Sequence, residues 1–300
     1  MLESDLLRVL GAARLRRDEP MSRHTTFRVG GPADFFAEPG DARELAAVLM
    51  ACREAEIPYY IIGNGSNLLV GDGGYRGVII ALGQSWSEIM VEGNRIRAGA
   101  GALLTAVARR ALEESLEGLA FASGIPGSVG GAVVMNAGAY GSDISAVLRR
   151  VTVLTREGER RLLEAAELAL GYRESIIPAA GYIVLDAEFA LEPGDREAIR
   201  DRMEELARQR RSKQPLEYPS AGSTFKRPPG QFAGKLIEEA GLRGFCVGDA
   251  QVSEKHCGFV INHGGATAAQ IMRLCEEVRR RVWEHSGVGL EMEVKLLGEF

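Results

Sequence analysis

Apolar residues recur along the chain with two periods. Behind Asp41, a residue suited to cap a helix, Leu45, Val48, Leu49 and Cys52 fall on one face, which predicts a helix over 42–56. "PYYIIG" (58–63) and "GVIIAL" (77–82) predict buried strands, with "GNGSN" as a turn after the first. "EIMVEGNRIRAGA" predicts a hairpin turning at Gly93–Asn94, and "RVTVLTREGERRLL" a second one turning near Gly158. Helices are predicted over 103–116, 195–213, around "FAGKLIEEAG" and from about Thr267 to His285, with strands at "GYIVLDAEFAL" and "GFVIN". In the last segment Leu290, Met292, Val294 and Leu296 alternate with Glu291, Glu293 and Lys295, which predicts one final strand with a polar face. Hairpins join strands as often as helices do, so the class is α+β rather than a doubly wound parallel sheet.

Composition narrows the picture. At 46% hydrophobic and 26% charged, a chain of 300 residues supports a sizeable core, in one large domain or two. A net charge of −5 argues against a general nucleic-acid binder. No apolar run is long enough to span a bilayer, and the first twenty residues have no secretory h-region. Cys52, Cys246, Cys257 and Cys275 are scattered without CxxC spacing, as in a cytoplasmic protein with free thiols.

One stretch stands apart. "SGIPGSVGGAVVMNAGAYG" (123–141) is rich in glycine yet carries Ala132–Met135, an apolar run that no flexible linker would hold. With "GNGSN" (63–67) it makes two glycine loops interleaved with Ser and Asn. Neither is a P-loop, and Leu68 stands where a Rossmann fingerprint needs its third glycine. Clustered N–H groups with little steric cover suit a diphosphate, although tight turns needed for packing read the same way. "RQRRSK" (208–213) reads as a solvated helix end, or as a grip on a phosphate or carboxylate. His256, Cys257 and His263 lack a fourth ligand and zinc spacing. Taken singly, Arg173 in "GYRES", Ser223 in "AGSTFK" and Glu293 read as a structural donor, a turn residue and a solvent-facing carboxylate.

In order, "HTTFRVGGPA" (24–33), "IIGNGSNLLV" (61–70), "ASGIPGSVGGAVVMNAGAYG" (122–141), "GYRES" (171–175), "PSAGSTFKRPPG" (219–230), "FAGKLIEEAGLRG" (232–244) and "LEMEVK" (290–295) closely resemble the UDP-N-acetylenolpyruvoylglucosamine reductases of peptidoglycan precursor synthesis. The resemblance implies a two-lobed FAD domain of the vanillyl-alcohol-oxidase-like type over 1–210, completed by 289–300. A smaller α+β substrate domain would cover 211–288. It implies non-covalent FAD, held by Gly63, Asn64, Gly65, Ser66, Asn67 and Leu68, by Ser123, Gly124, Ile125, Pro126, Gly127, Ser128, Gly130, Gly131, Asn136, Ala137 and Gly138, and by Ile183. NADPH is the implied hydride donor and a UDP-sugar the substrate. No nucleic-acid or membrane partner is implied, and the protein is expected as a monomer or weak oligomer.

The implied chemistry needs a cation for the substrate carboxylate, a proton donor and a hydride carrier. By motif match these are Arg173, Ser223 with Glu293 as its companion, and the flavin. Tyr140, Tyr172, Lys213 and Lys226 match positions expected near the substrate. The run from "YRES" through "SIIPAAGYIVLDAEF" leaves no room for a long insertion, so the chain resembles the shorter, second type, although Arg227 stands where some members carry Asn. Two rivals stay open at this point: an FAD-dependent oxidase of a hydroxy compound on the same fold, and a nucleotide-binding regulator without turnover.

Overall fold

The computed structural model describes residues 2–300. Backbone contacts gather them into two units. The first holds the chain up to Arg17 with Phe35–Asn64 and Gly77–Gln209, and the second holds Asp18–Asp34, Gly65–Arg76 and Arg210–Phe300.

The first unit is built on a five-stranded antiparallel sheet, in the order Arg160–Glu164, Leu148–Leu154, Ile183–Ala190, Arg95–Gly99 and Ile89–Glu92. Both expected hairpins are present, and Ile183–Ala190 is the central strand. The helix Val129–Val134 packs on this strand and on Arg95–Gly99. On the sheet's charged side Arg97 forks onto Asp186 at 2.9 and 2.8 Å, and Arg150 bonds Glu188 at 2.7 Å. Glu188, 9% exposed, therefore lies beside a cation rather than alone in a low dielectric. The helix Ala42–Glu54 forms as predicted. Asp41 accepts from the N–H groups of Arg43 (2.8 Å) and Glu44 (2.9 Å), and Leu45, Val48, Leu49 and Cys52 are buried. Such a cap contributes about 1 kcal/mol. Its first partner inside the unit is the helix Leu2–Leu10.

The second unit carries a four-stranded antiparallel sheet, Ser220–Ser223, Phe259–Asn262, Ala250–Val252 and Cys246–Val247. The helices Ala233–Glu239 and Ala268–Ser286 pack with it around a core that includes Phe27, Leu69, Phe225, Ile271, Leu274, Val278 and Val282. The long helix starts at a reciprocal capping box of Thr267 and Gln270. Asp72 adds two bonds, to the N–H groups of Ala268 (2.8 Å) and Ala269 (2.9 Å).

One expectation needs correcting. The C-terminal segment is not one continuous strand. Met292 bridges Phe225 in antiparallel sense, whereas Lys295–Leu297 pairs in parallel with Leu68–Val70. No single pleat runs through, so the alternation fails: Leu290 and Val294 are 3% exposed but Leu296 is 44% exposed. By contacts, residues 289–300 group with 210–288, and so do 18–34 and 65–76. Leu290 and Val294 join the core of Ile271 and Val278, which holds the end of the chain there.

The four cysteines are free thiols; Cys246 alone is exposed, and Cys52, Cys257 and Cys275 are buried. Burial pushes the Cys52 thiol up to about 11 and that of Cys275 up to about 12, and raises that of Cys257. A raised thiol pKa leaves little thiolate near neutral pH. Titration of the native protein with an aromatic disulfide reagent at pH 8 is expected to label Cys246 rapidly, and the buried thiols only after denaturant is added. Fast labelling of Cys275 without denaturant would contradict this packing.

Candidate active site

In the first unit the two glycine loops meet. The Asn64 side chain donates to the carbonyl of Pro126 at 2.5 Å, and a Cβ added at Gly63 would stand 2.0 Å from Ser128 Oγ. The 123–141 stretch is not an irregular loop. Ala120–Gly124 forms a 3-10 turn, where Ser123 bonds back to Ala120, and Val129–Val134 is a short helix with Ala132 and Val133 buried. Its backbone is tied down: Gly127 accepts from the N–H of Leu104, while Val129 and Gly130 donate to Ala102 and Ala100, both at 2.8 Å. Ile125 and Ala137 pack against the core, and Ile183 pairs with Leu154.

Three of these glycines separate by what surrounds them. Gly130 and Gly138 have protein neighbours: an added Cβ would meet Ala100 at 3.1 Å or Asp143 at 2.6 Å. Gly131 does not. It is exposed, and an added Cβ would find only Ser128 Oγ, at 3.7 Å. A glycine in a helix that the protein does not require costs about 0.5–1 kcal/mol against alanine. Its backbone, with that of exposed Gly63 and Asn64, leaves an uncovered strip beside the buried Ser128 hydroxyl. This cradle fits a ligand that approaches the main chain closely, as a diphosphate does.

Arg173 sits in the same unit, at the tip of a turn closed by the N–H of Gly171 on the carbonyl of Glu174 (3.1 Å). Its φ of +60° lies in the left-handed region. The guanidinium donates to the carbonyl of Gly138 at 3.2 Å and lies 5.2 Å from the ring centre of Tyr172, which is 52% exposed. Two of the expected site residues bond protein. Asn136 is 3% exposed and bonds the carbonyl of Gly171 and the N–H of Ser145. Tyr140, expected at the substrate, donates its hydroxyl to the carbonyl of Leu206 at 3.2 Å.

The second unit holds the remaining candidates. Ser220–Ser223 pairs with Phe259–Asn262 through a register shift, with Gly222 at φ +75° inside it, and this bulge leaves Ser223 exposed. Thr224 anchors the next position: 1% exposed, it donates its N–H to Gly258, accepts at its hydroxyl from Val260 N–H, and accepts at its carbonyl from Glu293 N–H, all at 2.9 Å. Ser223 and half-buried Glu293 therefore occupy neighbouring backbone positions. Asn67 donates to the carbonyl of Glu293 at 3.2 Å, and Thr26 to the carbonyl of Ser220 at 2.6 Å. Gly65 packs on protein, since an added Cβ would stand 2.0 Å from the carbonyl oxygen of His24. Ser66 is half-buried, and Leu68 is buried at the start of the strand Leu68–Val70. Lys226 pairs with Glu291 at 2.5 Å, whereas Lys213 is the exposed last residue of the helix Arg196–Lys213. Of the supports under these side chains, Thr224 and Thr26 lie within quoted motifs, but their role as supports was not legible, because a hydroxyl that accepts from or donates to a distant main chain looks like any turn residue.

Comparison with known proteins decides the family. The chain is 56% identical over 298 residues to the UDP-N-acetylenolpyruvoylglucosamine reductase of Agathobacter rectalis, covering 95% of both chains. The chain belongs to the UDP-N-acetylenolpyruvoylglucosamine reductase family. The enzyme of that name from Clostridium novyi is 51% identical over 291 residues, covering 97% of this chain and 94% of that one. The C-terminal domain model of this reductase family matches residues 214–297, and an FAD-binding domain model matches 33–163. The crystal structure of the reductase from Thermus caldophilus superposes with a TM-score of 0.83 at 38% identity, covering 95% of this chain and 99% of that one. A 4-ethylphenol oxidase from Gulosibacter chungangensis shares the fold alone, at 15% identity and a TM-score of 0.51. The α+β class and the vanillyl-alcohol-oxidase-like FAD domain expected from the sequence are those of the reductase family, and FAD is its cofactor.

Gly131→Ala separates the roles of the glycines. The added methyl meets no protein atom closer than 3.7 Å, so the melting temperature is expected to hold or rise while FAD affinity falls. Gly65→Val and Gly130→Val are expected to lower the melting temperature with or without flavin, since both side chains would enter protein. Wild-type FAD affinity in Gly131→Ala, read by fluorescence titration, would show that the cofactor does not approach there.

Proposed function

We propose that Arg173, Ser223 and Glu293 act together in reducing the enolpyruvyl ether of UDP-N-acetylglucosamine enolpyruvate to UDP-N-acetylmuramate. The observation that supports this reading is the bond from Glu293 N–H to the carbonyl of Thr224 (2.9 Å), which brings the Glu293 backbone to the residue after exposed Ser223 in a chain of this family. Bound FAD supplies the relay of a hydride from NADPH to the vinyl carbon. The protein must add a proton at the neighbouring carbon and hold the charge that develops beside the carboxylate.

Arg173 suits the second task. A guanidinium grips a carboxylate with two parallel bonds, and its charge offsets the enolate-like density that forms next to it. Ser223 gives the proton. An isolated hydroxyl is a poor acid, so Lys213, Glu293 or a water must replace the proton it gives. Tyr172 and Lys213 remain substrate contacts in this proposal. Tyr140 and Lys226 are substrate contacts in the same proposal, and their polar ends bond Leu206 and Glu291 in the structure. The FAD-binding part remains assigned to 1–210, and 289–300 returns Glu293 to the site. The proposal also includes a cytoplasmic location, which four free thiols suit, and a monomer or weak oligomer without nucleic-acid or membrane partners. Among the described residues no helix is long and apolar enough to cross a membrane.

Stopped-flow spectra test the assignment. Ser223→Ala is expected to reduce its flavin with NADPH at a near-normal rate and to reoxidise with the enolpyruvyl substrate about 10²–10⁴-fold more slowly, as for loss of a positioned general acid. Ser223→Cys, which keeps a donor, should lose less. Slow reduction with normal reoxidation would remove the proton-donor role. Arg173→Lys keeps the charge but not the fork, so kcat is expected to fall well below wild type; a near-wild-type kcat would exclude a bidentate grip.

A further inference from the structure

Asn136 bonds protein at both ends of its amide. It follows the helix Val129–Val134 at φ +40°, is 3% exposed, donates from Nδ2 to the carbonyl of Gly171 at 3.0 Å, and accepts at Oδ1 from the N–H of Ser145 at 3.0 Å. Gly171 opens the turn that carries Arg173. Within that turn the carbonyl of Gly171 also faces the N–H of Glu174, at a long 3.5 Å. The Asn136 amide is thus the shorter of its two bonds.

Arg173 needs such support. A long side chain at φ +60° is uncommon and persists only where its surroundings hold it. Three alternate residues of the glycine stretch reach the turn: Val134 accepts at its carbonyl from Ser175 Oγ (2.8 Å), Asn136 bonds Gly171, and Gly138 accepts from the Arg173 guanidinium (3.2 Å). Two of these contacts are main-chain carbonyls, present whatever the residue. From the side of the glycine stretch only Asn136 contributes a side chain; the other donors, Ser175 Oγ and the Arg173 guanidinium, belong to the turn and its neighbour.

We infer that Asn136 is a positioning residue for Arg173, holding the Gly171–Glu174 turn so that the guanidinium meets the substrate carboxylate. This rests on the reading of Arg173 given above. Without the Nδ2 donor the Gly171 carbonyl keeps only its long bond, and the turn can relax Arg173 out of the left-handed region. A displacement of about 1 Å at a reacting group can cost about 10²-fold in rate.

The test uses the FAD-loaded enzyme and two variants. Asn136→Gly tolerates the positive φ and removes both bonds; Asn136→Asp keeps the acceptor for Ser145 N–H and removes the donor to Gly171. Calorimetry compares binding of UDP-N-acetylmuramate, which carries the carboxylate, with UDP-N-acetylglucosamine, which lacks it. Both variants are expected to weaken the first by about tenfold or more, the scale of a hydrogen bond to a charged group, and to leave the second within about twofold. Flavin reduction by NADPH should stay normal while reoxidation by substrate slows. In an Arg173→Ala background Asn136→Asp should add nothing further. Equal weakening of both nucleotides, additivity with Arg173→Ala, or loss of flavin or of the fold in both variants would overturn the inference and leave Asn136 as a cofactor or folding residue. If Arg173→Ala changes the carboxylate preference and the Asn136 variants do not, this inference alone falls. If Arg173→Ala leaves that preference intact, the reading of Arg173 falls and takes the inference with it.

Discussion

Close approach of the backbone to neighbouring protein atoms, at positions where a Cβ cannot fit, governs the region around the first glycine loop. At Gly63 an added Cβ would stand 2.0 Å from Ser128 Oγ, and at Gly65 2.0 Å from the carbonyl of His24. The first contact fixes the loop against the 123–141 stretch. The second fixes it against the segment whose Thr26 holds the carbonyl of Ser220. Between them the chain passes from one compact unit to the other. Glycine is therefore needed here mainly for packing, and the part left to a ligand is narrower: the exposed main chain at Gly63, Asn64 and Gly131.

The same economy runs through both units. Polar groups in the glycine loops hold the backbone from which chemistry-bearing side chains project. Asn67 reaches the carbonyl of Glu293, and Asn136 reaches the carbonyl of Gly171. Thr224 is bonded at its N–H, its hydroxyl and its carbonyl, so the strand that presents Ser223 has little freedom to slide. Such preorganisation matters for hydride and proton transfer, where the groups must be in place before the charge develops.

Much of this was legible along the chain. Asp41 with the Leu45–Cys52 stripe announces its helix, Gly93–Asn94 and Gly158 mark two hairpins, and the long helix starts at Thr267 as expected. These are local signals, set by periodicity, caps and turn residues within a few positions, and they survive whatever the tertiary setting. The ordered motifs around Arg173, Ser223 and Glu293 also pointed to the family before any geometry was available.

Long-range pairing was not legible. The alternation from Leu290 to Leu296 reads as one strand because a sequence does not say that its partner changes from antiparallel Phe225 to parallel Leu68–Val70. Nor does it say which glycines face protein: Gly130 and Gly131 are neighbours in sequence, yet only Gly130 has Ala100 at 3.1 Å from an added Cβ. Asn136 shows the limit most clearly. Its residue type fixed that a buried amide would need partners. Which carbonyl it would meet, thirty-five positions away at Gly171, was decided only when the chain closed on itself.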